Sequence, residues 1–238
     1  MDEQAERRCS CGAHQPPGTR VAASDGILVY GAGGHAKTVI ATIEAEGAYR
    51  IFGVLDDDES RRETVFYGYP VLGGREDLSR LREKGISRVA VAIGNNEHRA
   101  EIVGFLAENQ FELVRAVHPS VTLLRGAQVG AGTVVLPQAF VGSDACVGEC
   151  AIVSVAAVVA HDARVGDFAQ LCPNVSLAGG AVVGDYSFLG MGACVLQNVR
   201  VGREVVVGAN AVVTDDLPNG VTAVGVPARI VKGRQAFT

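Results

Sequence analysis

His161 and Asp162 are adjacent in the run Val159-Ala160-His161-Asp162-Ala163-Arg164, and together they could move a proton. A free imidazole titrates near about pH 6.5, so at neutral pH it can take a proton from an attacking group and later return it to a leaving group. A neighbouring carboxylate can orient the ring and stabilise its protonated form. Consecutive side chains diverge along an extended strand, so this contact requires the chain to turn at 161–162. A second set stands near the front of the chain. Gly31-Ala32-Gly33-Gly34-His35-Ala36-Lys37 follows the apolar run Ile27-Leu28-Val29-Tyr30 and precedes the helical pattern Val39, Ile40, Ile43. In a strand-turn-helix unit, Gly33 and Gly34 would let backbone amides approach an anion at the helix N-terminus. Asp56 falls 23 residues after Gly33, where an acidic residue can meet a ribose.

The elements that must position these residues are written in two different periods. From Val117 to Val213 a Val or Leu recurs every six residues, seventeen times without an insertion, and the residue four places after each is mostly small. A period of six fits neither an amphipathic helix nor a lone alternating strand; it fits short strands joined by regular turns in a parallel β-helix. Three hexads make one coil of eighteen residues, and at about 4.8 Å per coil the prism is ~27 Å long. This register stacks Gly179-Gly180 over His161-Asp162, so the imidazole faces a gap. Glycine follows the aliphatic residue at 130, 142, 148, 166, 184, 190, 202 and 208, where a tight corner is expected.

Before the repeat, strands are expected at Ile27–Tyr30, Ile51–Leu55 and Val89–Ile93, with helices after Gly34, near 75–84 and at 97–109. That alternation implies a small parallel α/β sheet with its ligand edge at the carboxyl ends of the strands. About ninety residues provide one mononucleotide-sized half and no second half for a nicotinamide, which favours a nucleotide or nucleotide-sugar site over a redox cofactor. The fold class expected is therefore α/β plus β. A flexible leader spans 1–25, a Rossmann-like parallel α/β domain spans 26–114, and a left-handed parallel β-helix with a C-terminal tail spans 115–238.

Composition narrows the function further. A net charge of −5 gives no support to a nucleic-acid or anionic-membrane partner. No uncharged apolar run approaches eighteen residues, and the polar segment 1–20 lacks the apolar core of a signal peptide, so a cytoplasmic protein is expected. Four cysteines, at 146, 150, 172 and 194, lie in the repeat at separations that are not multiples of eighteen, and are expected as reduced packing residues. Cys9, Cys11 and His14 make only a weak zinc pattern. Within the repeat only His118 and His161 occur, too few for a three-histidine metal centre, so no metal is expected.

Taken jointly, Gly31-Ala-Gly-Gly-His-Ala-Lys37, Ala92-Ile-Gly-Asn-Asn-Glu97, His161-Asp162 before Val165-Gly166, and Gly225-Val-Pro-Ala228 resemble one hexapeptide-repeat acetyltransferase family. It contains nucleotide-amino-sugar N-acetyltransferases, such as those acting on the UDP-bacillosamine precursor and GDP-perosamine, together with sialic acid O-acetyltransferases. The resemblance covers about residues 26–232. It implies a homotrimer with acetyl-CoA in the groove between prisms and a nucleotide-activated amino sugar on the N-terminal domain. His161 would be the general base and Asp162 its partner. Gly33, Gly34, His35, Asp56, Asp57 and Gly94 would meet the nucleotide. Gln170, Met191 and Ala209 would line the coenzyme groove, and 225–228 would close over it. Two positions depart from the family pattern: Ser154 stands where Asn is frequent, and Gln170 where some relatives carry His. The leading expectation is an acetyl-CoA-dependent N-acetyltransferase, with sialic acid O-acetylation and a non-catalytic trimeric nucleotide-binding scaffold as alternatives.

Overall fold

The computed structural model describes residues 26–233, so the leader at 1–25, including Cys9, Cys11 and His14, lies outside the described residues. The chain opens with β1 (Gly26–Tyr30), α1 (Gly34–Glu46) and β2 (Arg50–Leu55), followed by a short hairpin of β3 (Val65–Phe66) and β4 (Tyr69–Pro70). Then come α2 (Leu78–Glu83), β5 (Arg88–Val91), α3 (Asn96–Glu108) and β6 (Glu112–Leu113). Strands β2-β1-β5-β6 form a parallel sheet in that order. β5 stops at Val91, two residues short of the expected Ile93. The two-residue strands β3, β4 and β6 are too short for an alternating pattern to announce them.

Alternation along β1 sorts the core. Ile27 and Val29 pack with Val39, Ile40 and Ile43 of α1, while Leu28 and Tyr30 pack with Leu78, Leu81, Ile102 and Leu106 of α2 and α3. The α1 cluster continues into the first coils through Ala116, Val134 and Leu136. The sheet therefore rests on the prism through α1.

From Ala116 onward the chain winds as a parallel β-helix with three faces. Face one carries Ala116–Val117, Val134–Val135, Ile152–Val153, Gln170–Leu171, Phe188–Leu189 and Val206–Val207, extended by Val221–Val224. Face two runs from Thr122–Leu123 through Phe140–Val141, Val158–Val159, Ser176–Leu177 and Cys194–Val195 to Val212–Val213. Face three runs from Gln128–Val129 to Arg200–Val201. The second residue of each strand points inward and meets the small residue four places on, as in Val159 with Ala163 and Val165 with Ala169, giving one continuous buried column. Each Val or Leu buried there contributes about 1.5–3 kcal/mol.

Two details differ from the expectation. The glycines that follow the aliphatic residue do not supply a left-handed corner; a Cβ there would strike the neighbouring coil, as at Gly142, where it would lie 2.6 Å from the His161 amide nitrogen. The left-handed conformation falls two residues later, often on a residue other than glycine, including Asp144, Asp162, Asn174, Asn198 and Asn210. The repeat also shortens at its end. Leu217 pairs with Val201 and Ala223 with Val207, sixteen residues apart instead of eighteen. Val221–Val224 then turns back antiparallel to Arg229–Gly233. Among the cysteines, Cys150, Cys172 and Cys194 are free thiols as expected, but Cys146 is in a disulfide, which corrects the reading of all four as reduced. Among the described residues no helix is long and apolar enough to cross a membrane.

Candidate active site and nucleotide-binding edge

The chain does turn at 161–162. Asp162 is left-handed at φ 60°, which brings its carboxylate back to the preceding ring, and His161 Nδ1 lies 2.8 Å from Asp162 Oδ2. A carboxylate only accepts, so Nδ1 is the donor in this pair and Nε2 points away from it. One coil later Gly179 lies directly against the ring: a Cβ there would be 2.5 Å from both Cε1 and Nε2. The ring is thus braced on one side by Asp162 and on the other by bare backbone. It is 70% exposed, open to a reacting group. These are the attributes of a positioned base.

The three predicted coenzyme residues do not share one surface. Met191 and Ala209 stack at the corner between faces one and two, with Gly225 as the next member; Asn210 N donates to Met191 O, and Val212 N donates to Gly225 O. Ala228 N also donates to Val212 O, so the 225–228 segment closes the end of this corner. Met191 is 58% exposed and Val226 72% exposed, leaving an apolar rim there. Ser154, buried at 6% exposure, belongs to the same edge. Gln170 instead points outward from the middle of face one. His161 occupies the opposite edge of face two, so one chain cannot bring its own base to its own Met191–Ala209 corner.

At the carboxyl edge of the sheet, the loops after β1, β2 and β5 converge. Gly31 needs glycine twice over: φ is 112°, and a Cβ would lie 2.9 Å from Ala92 O. Gly33 is the N-cap of α1 with no side-chain bond, and Gly33 and Gly34 face open space, so this helix N-terminus is accessible to an anion. Asp56 accepts from Ala32 N at 2.7 Å and from Asp58 N at 3.0 Å, tying the β2 loop to the glycine loop. Asp57 is occupied by Tyr30 OH and by the Arg75 amide and guanidinium. Burial pushes its carboxyl up, but the Arg75 and Tyr30 bonds outweigh burial and hold it below the ordinary range. Asp57 therefore braces this edge. Gly94 lies in the β5 loop with space around it. His35 turns into the structure, where burial first and the nearby Arg99 charge second lower it to about 4; its Nε2 is buried without a partner.

Two arginines have no counterpart in the sequence reading. Arg61 Nη1 donates to Ala32 O at 2.9 Å, which brings a guanidinium over the glycine loop. Arg99 is 1% exposed and donates to the carbonyls of Cys150, Phe168, Ile93 and Gly94 and to Asn96 Oδ1. Asn96 Nδ2 in turn donates to Tyr186 O. Cys150, Phe168 and Tyr186 are corner residues of three successive coils, so the start of α3 clips the β5 loop to the prism at three levels. Arg99, Ile102 and Leu106 fall at helical spacing on one buried face, and an arginine on an apolar stripe was the available signal. Beside this clip, the segment 94–97 at the start of α3 and face one line an open cavity of about 770 Å³. Its lining includes Asn95, Glu97, Gln170, Phe188, Glu204 and Thr222.

Comparison with known proteins gives two family matches. The family described as PglD N-terminal domain matches residues 26–106, and the bacterial transferase hexapeptide (six repeats) matches residues 180–215. A histidine-to-alanine mutant of GDP-perosamine N-acetyltransferase from Caulobacter crescentus, in complex with CoA and GDP-perosamine, is 40% identical with a TM-score of 0.83, covering 87% of this chain and 97% of that one. The acetyltransferase domain of PglB from Neisseria gonorrhoeae FA1090, in complex with acetyl coenzyme A, is 35% identical with a TM-score of 0.80, covering 87% and 99%. UDP-N-acetylbacillosamine N-acetyltransferase from Bacillus subtilis (strain 168) is 31% identical over 112 residues, which is 46% of this chain and about half, 50%, of that enzyme's length.

Proposed function

The chain belongs to the hexapeptide-repeat acetyltransferase family that includes the nucleotide-amino-sugar N-acetyltransferases, and from that premise we propose that it transfers acetyl from acetyl-CoA to the amine of a nucleotide-linked amino sugar. The observation that carries the reading is the His161–Asp162 pair, with Nδ1 held at 2.8 Å and Nε2 facing outward beside Gly179. As the amine nitrogen bonds to the thioester carbonyl carbon, Nε2 takes the amine proton. Asp162 stabilises the imidazolium. The proton then passes to the departing sulfur, so the products are the amide and the free thiol. Such a base contributes roughly 10²- to 10⁴-fold.

The acting unit is a homotrimer in this reading. Face two presents Phe140, Val158, Ser176, Cys194 and Val212 with Leu124 and Leu196, all uncharged, whereas face three presents Arg164 and Arg200. Joining copies through face two brings the His161 edge of one chain to the Met191–Ala209 edge of the next, which supplies the coenzyme corner that a single chain cannot offer its own base. Residues 26–114 hold the nucleotide sugar, with α1's open N-terminus toward the diphosphate and Arg61 beside it. Residues 115–238 hold the coenzyme. The substrate pair implies a cytoplasmic reaction, since CoA thioesters and nucleotide sugars are intracellular metabolites.

The test is thiol release from acetyl-CoA with UDP-, GDP- and CMP-linked amino sugars and sialic acids, alongside sedimentation. Release with a UDP- or GDP-linked amino sugar by a trimer is expected, falling roughly 10²- to 10⁴-fold in a folded His161→Ala trimer. No release with any acceptor, or full activity in that variant, would overturn the reading.

A further inference from the structure

The corner that carries His161 holds a definite column of side chains. His161, Gly179 and Gln197 each stand two residues after an inward-pointing aliphatic residue, namely Val159, Leu177 and Val195. Backbone bonds fix the stacking: Gly180 N donates to His161 O at 3.0 Å, and Asn198 N donates to Gly179 O at 3.1 Å. Gln197 is therefore two coils above His161 with a glycine between them, and it is exposed.

The imidazole leans into that interval. A Cβ on Gly179 would lie 2.5 Å from Nε2, so the reacting nitrogen has risen to the level of the glycine coil. What remains between Nε2 and the coil of Gln197 is about 4.8 Å, one strand spacing. That distance has a chemical meaning. A neutral amine carries two N–H groups that diverge near the tetrahedral angle, and each meets an acceptor at about 2.9 Å, so its two acceptors lie about 4.7 Å apart. Nε2 is one such acceptor. The Gln197 carboxamide oxygen, on a side chain long enough to reach into the interval, is the other.

We propose that Gln197 selects an amine over a hydroxyl by accepting, through Oε1, the N–H that His161 does not take. The inference rests on the acetyl-transfer reading above and deepens it. As the nitrogen bonds to the thioester carbonyl carbon, one proton passes to Nε2 and on to the departing sulfur. The other hydrogen stays on nitrogen and becomes the N–H of the product amide, so Gln197 can hold it from substrate to product. With both hydrogens fixed and the sugar anchored, the nitrogen lone pair has one direction left, toward the carbonyl carbon. A hydroxyl spends its only hydrogen on the base, and an ester product has none, so the carboxamide then has nothing to accept. Gly179 completes the arrangement by leaving no side chain between base and carboxamide.

The experiment is steady-state thiol release by the full-length protein with the nucleotide-linked amino sugar that it acetylates, beside inhibition by the analogue carrying a hydroxyl in place of the amine. Gln197→Met keeps the length of the side chain and removes the acceptor; Gln197→Glu keeps an acceptor oxygen and removes the donor. Gln197→Met is expected to melt as wild type, to lower kcat/KM for the amino sugar about 3- to 10-fold, and to leave the KM for acetyl-CoA and the inhibition constant of the hydroxyl analogue within about twofold. Gln197→Glu is expected to recover most of that loss, each enzyme being read at its own pH optimum because a carboxylate beside an imidazole shifts its titration. Equal losses in both variants, a loss confined to the KM for acetyl-CoA, or no loss in either would overturn the role of Gln197 while wild-type turnover upholds the functional reading. Thiol release with hydroxyl acceptors alone, or with no acceptor, removes that reading and this inference with it.

Discussion

Gly179→Ala isolates the positioning of the proposed base, His161, from its presence. The added Cβ would lie 2.5 Å from His161 Cε1 and Nε2, whereas carbon contacts settle near about 3.5–4.0 Å, so the ring must retreat by roughly 1 Å or change rotamer. Either movement degrades the 2.8 Å bond to Asp162 and displaces Nε2 from the attacking amine. A 1 Å misplacement costs about 10²-fold, equivalent to roughly 2.7 kcal/mol of transition-state stabilisation. Stability should barely change. Gly179 is not in the left-handed region, and the group it would strike is a side chain 70% exposed, so the cost is within about 0.5 kcal/mol. Gly142→Ala is the counterpart. Its Cβ would meet His161 N at 2.6 Å and Ala160 C at 2.7 Å, both backbone, so it should destabilise by about 1–3 kcal/mol. The assay is kcat from thiol release at saturating substrates, read beside thermal melting of the same preparations. A Gly179→Ala enzyme within threefold of wild-type kcat would refute the brace.

Further outcomes follow from the same geometry. Asp162→Asn keeps a residue that tolerates the left-handed turn but no longer fixes Nδ1 as the donor, so kcat should fall about tenfold or more with melting unchanged. Because burial lowers His35 to about 4 from 6.5, the unfolded chain binds more protons between those values, and stability is lost as pH falls from about 6.5 to 4, by up to about 3 kcal/mol. Denaturant titrations should show that loss in wild type and not in His35→Gln; parallel curves would argue against it. Arg99→Met strands carbonyls at Cys150, Phe168 and Ile93, so calorimetric unfolding should show a loss of about 3 kcal/mol or more. Leu196→Glu places a charge on face two and should yield folded monomers with little activity by sedimentation and thiol release; an active trimer would place the interface elsewhere.

What the chain announced in advance was whatever its periods enforce. A six-residue spacing of Val and Leu fixes which side chains point inward and which residues stack eighteen apart, so Gly179 beneath His161 was readable before any coordinates. Gln170 shows where this reasoning stops. It points outward on face one, where no burial rule acts, and only the segment 94–97 decides what it meets. Arg99 was hidden because an arginine on a helix is usually solvated, and its acceptors are carbonyls 51 and 69 residues away. The glycines after the aliphatic residues were recognised as obligatory, but the cause is contact between coils and not backbone torsion. The two-residue shortening before Leu217 left no trace because Leu217 satisfies the small-or-aliphatic position of one hexad while occupying the strand position of the next.

The clip at the start of α3 sets a gauge along the prism. It grips coil corners at Cys150, Phe168 and Tyr186, and His161 lies within that stretch, so the height of the proposed nucleotide edge and the height of the proposed base are set on one scale. A threefold axis parallel to the prism changes no heights, so in the proposed trimer a neighbour's His161 stands at the same level as the chain's own. Inserting eighteen residues between Cys150 and His161 would keep every corner chemically intact yet move the proposed base by about 4.8 Å relative to the corner at Cys150. An eighteen-residue coil added beyond Val213 would lengthen the molecule without touching that spacing. The β-helix can therefore be extended at its C-terminal end in whole coils, but not within the span that the clip measures.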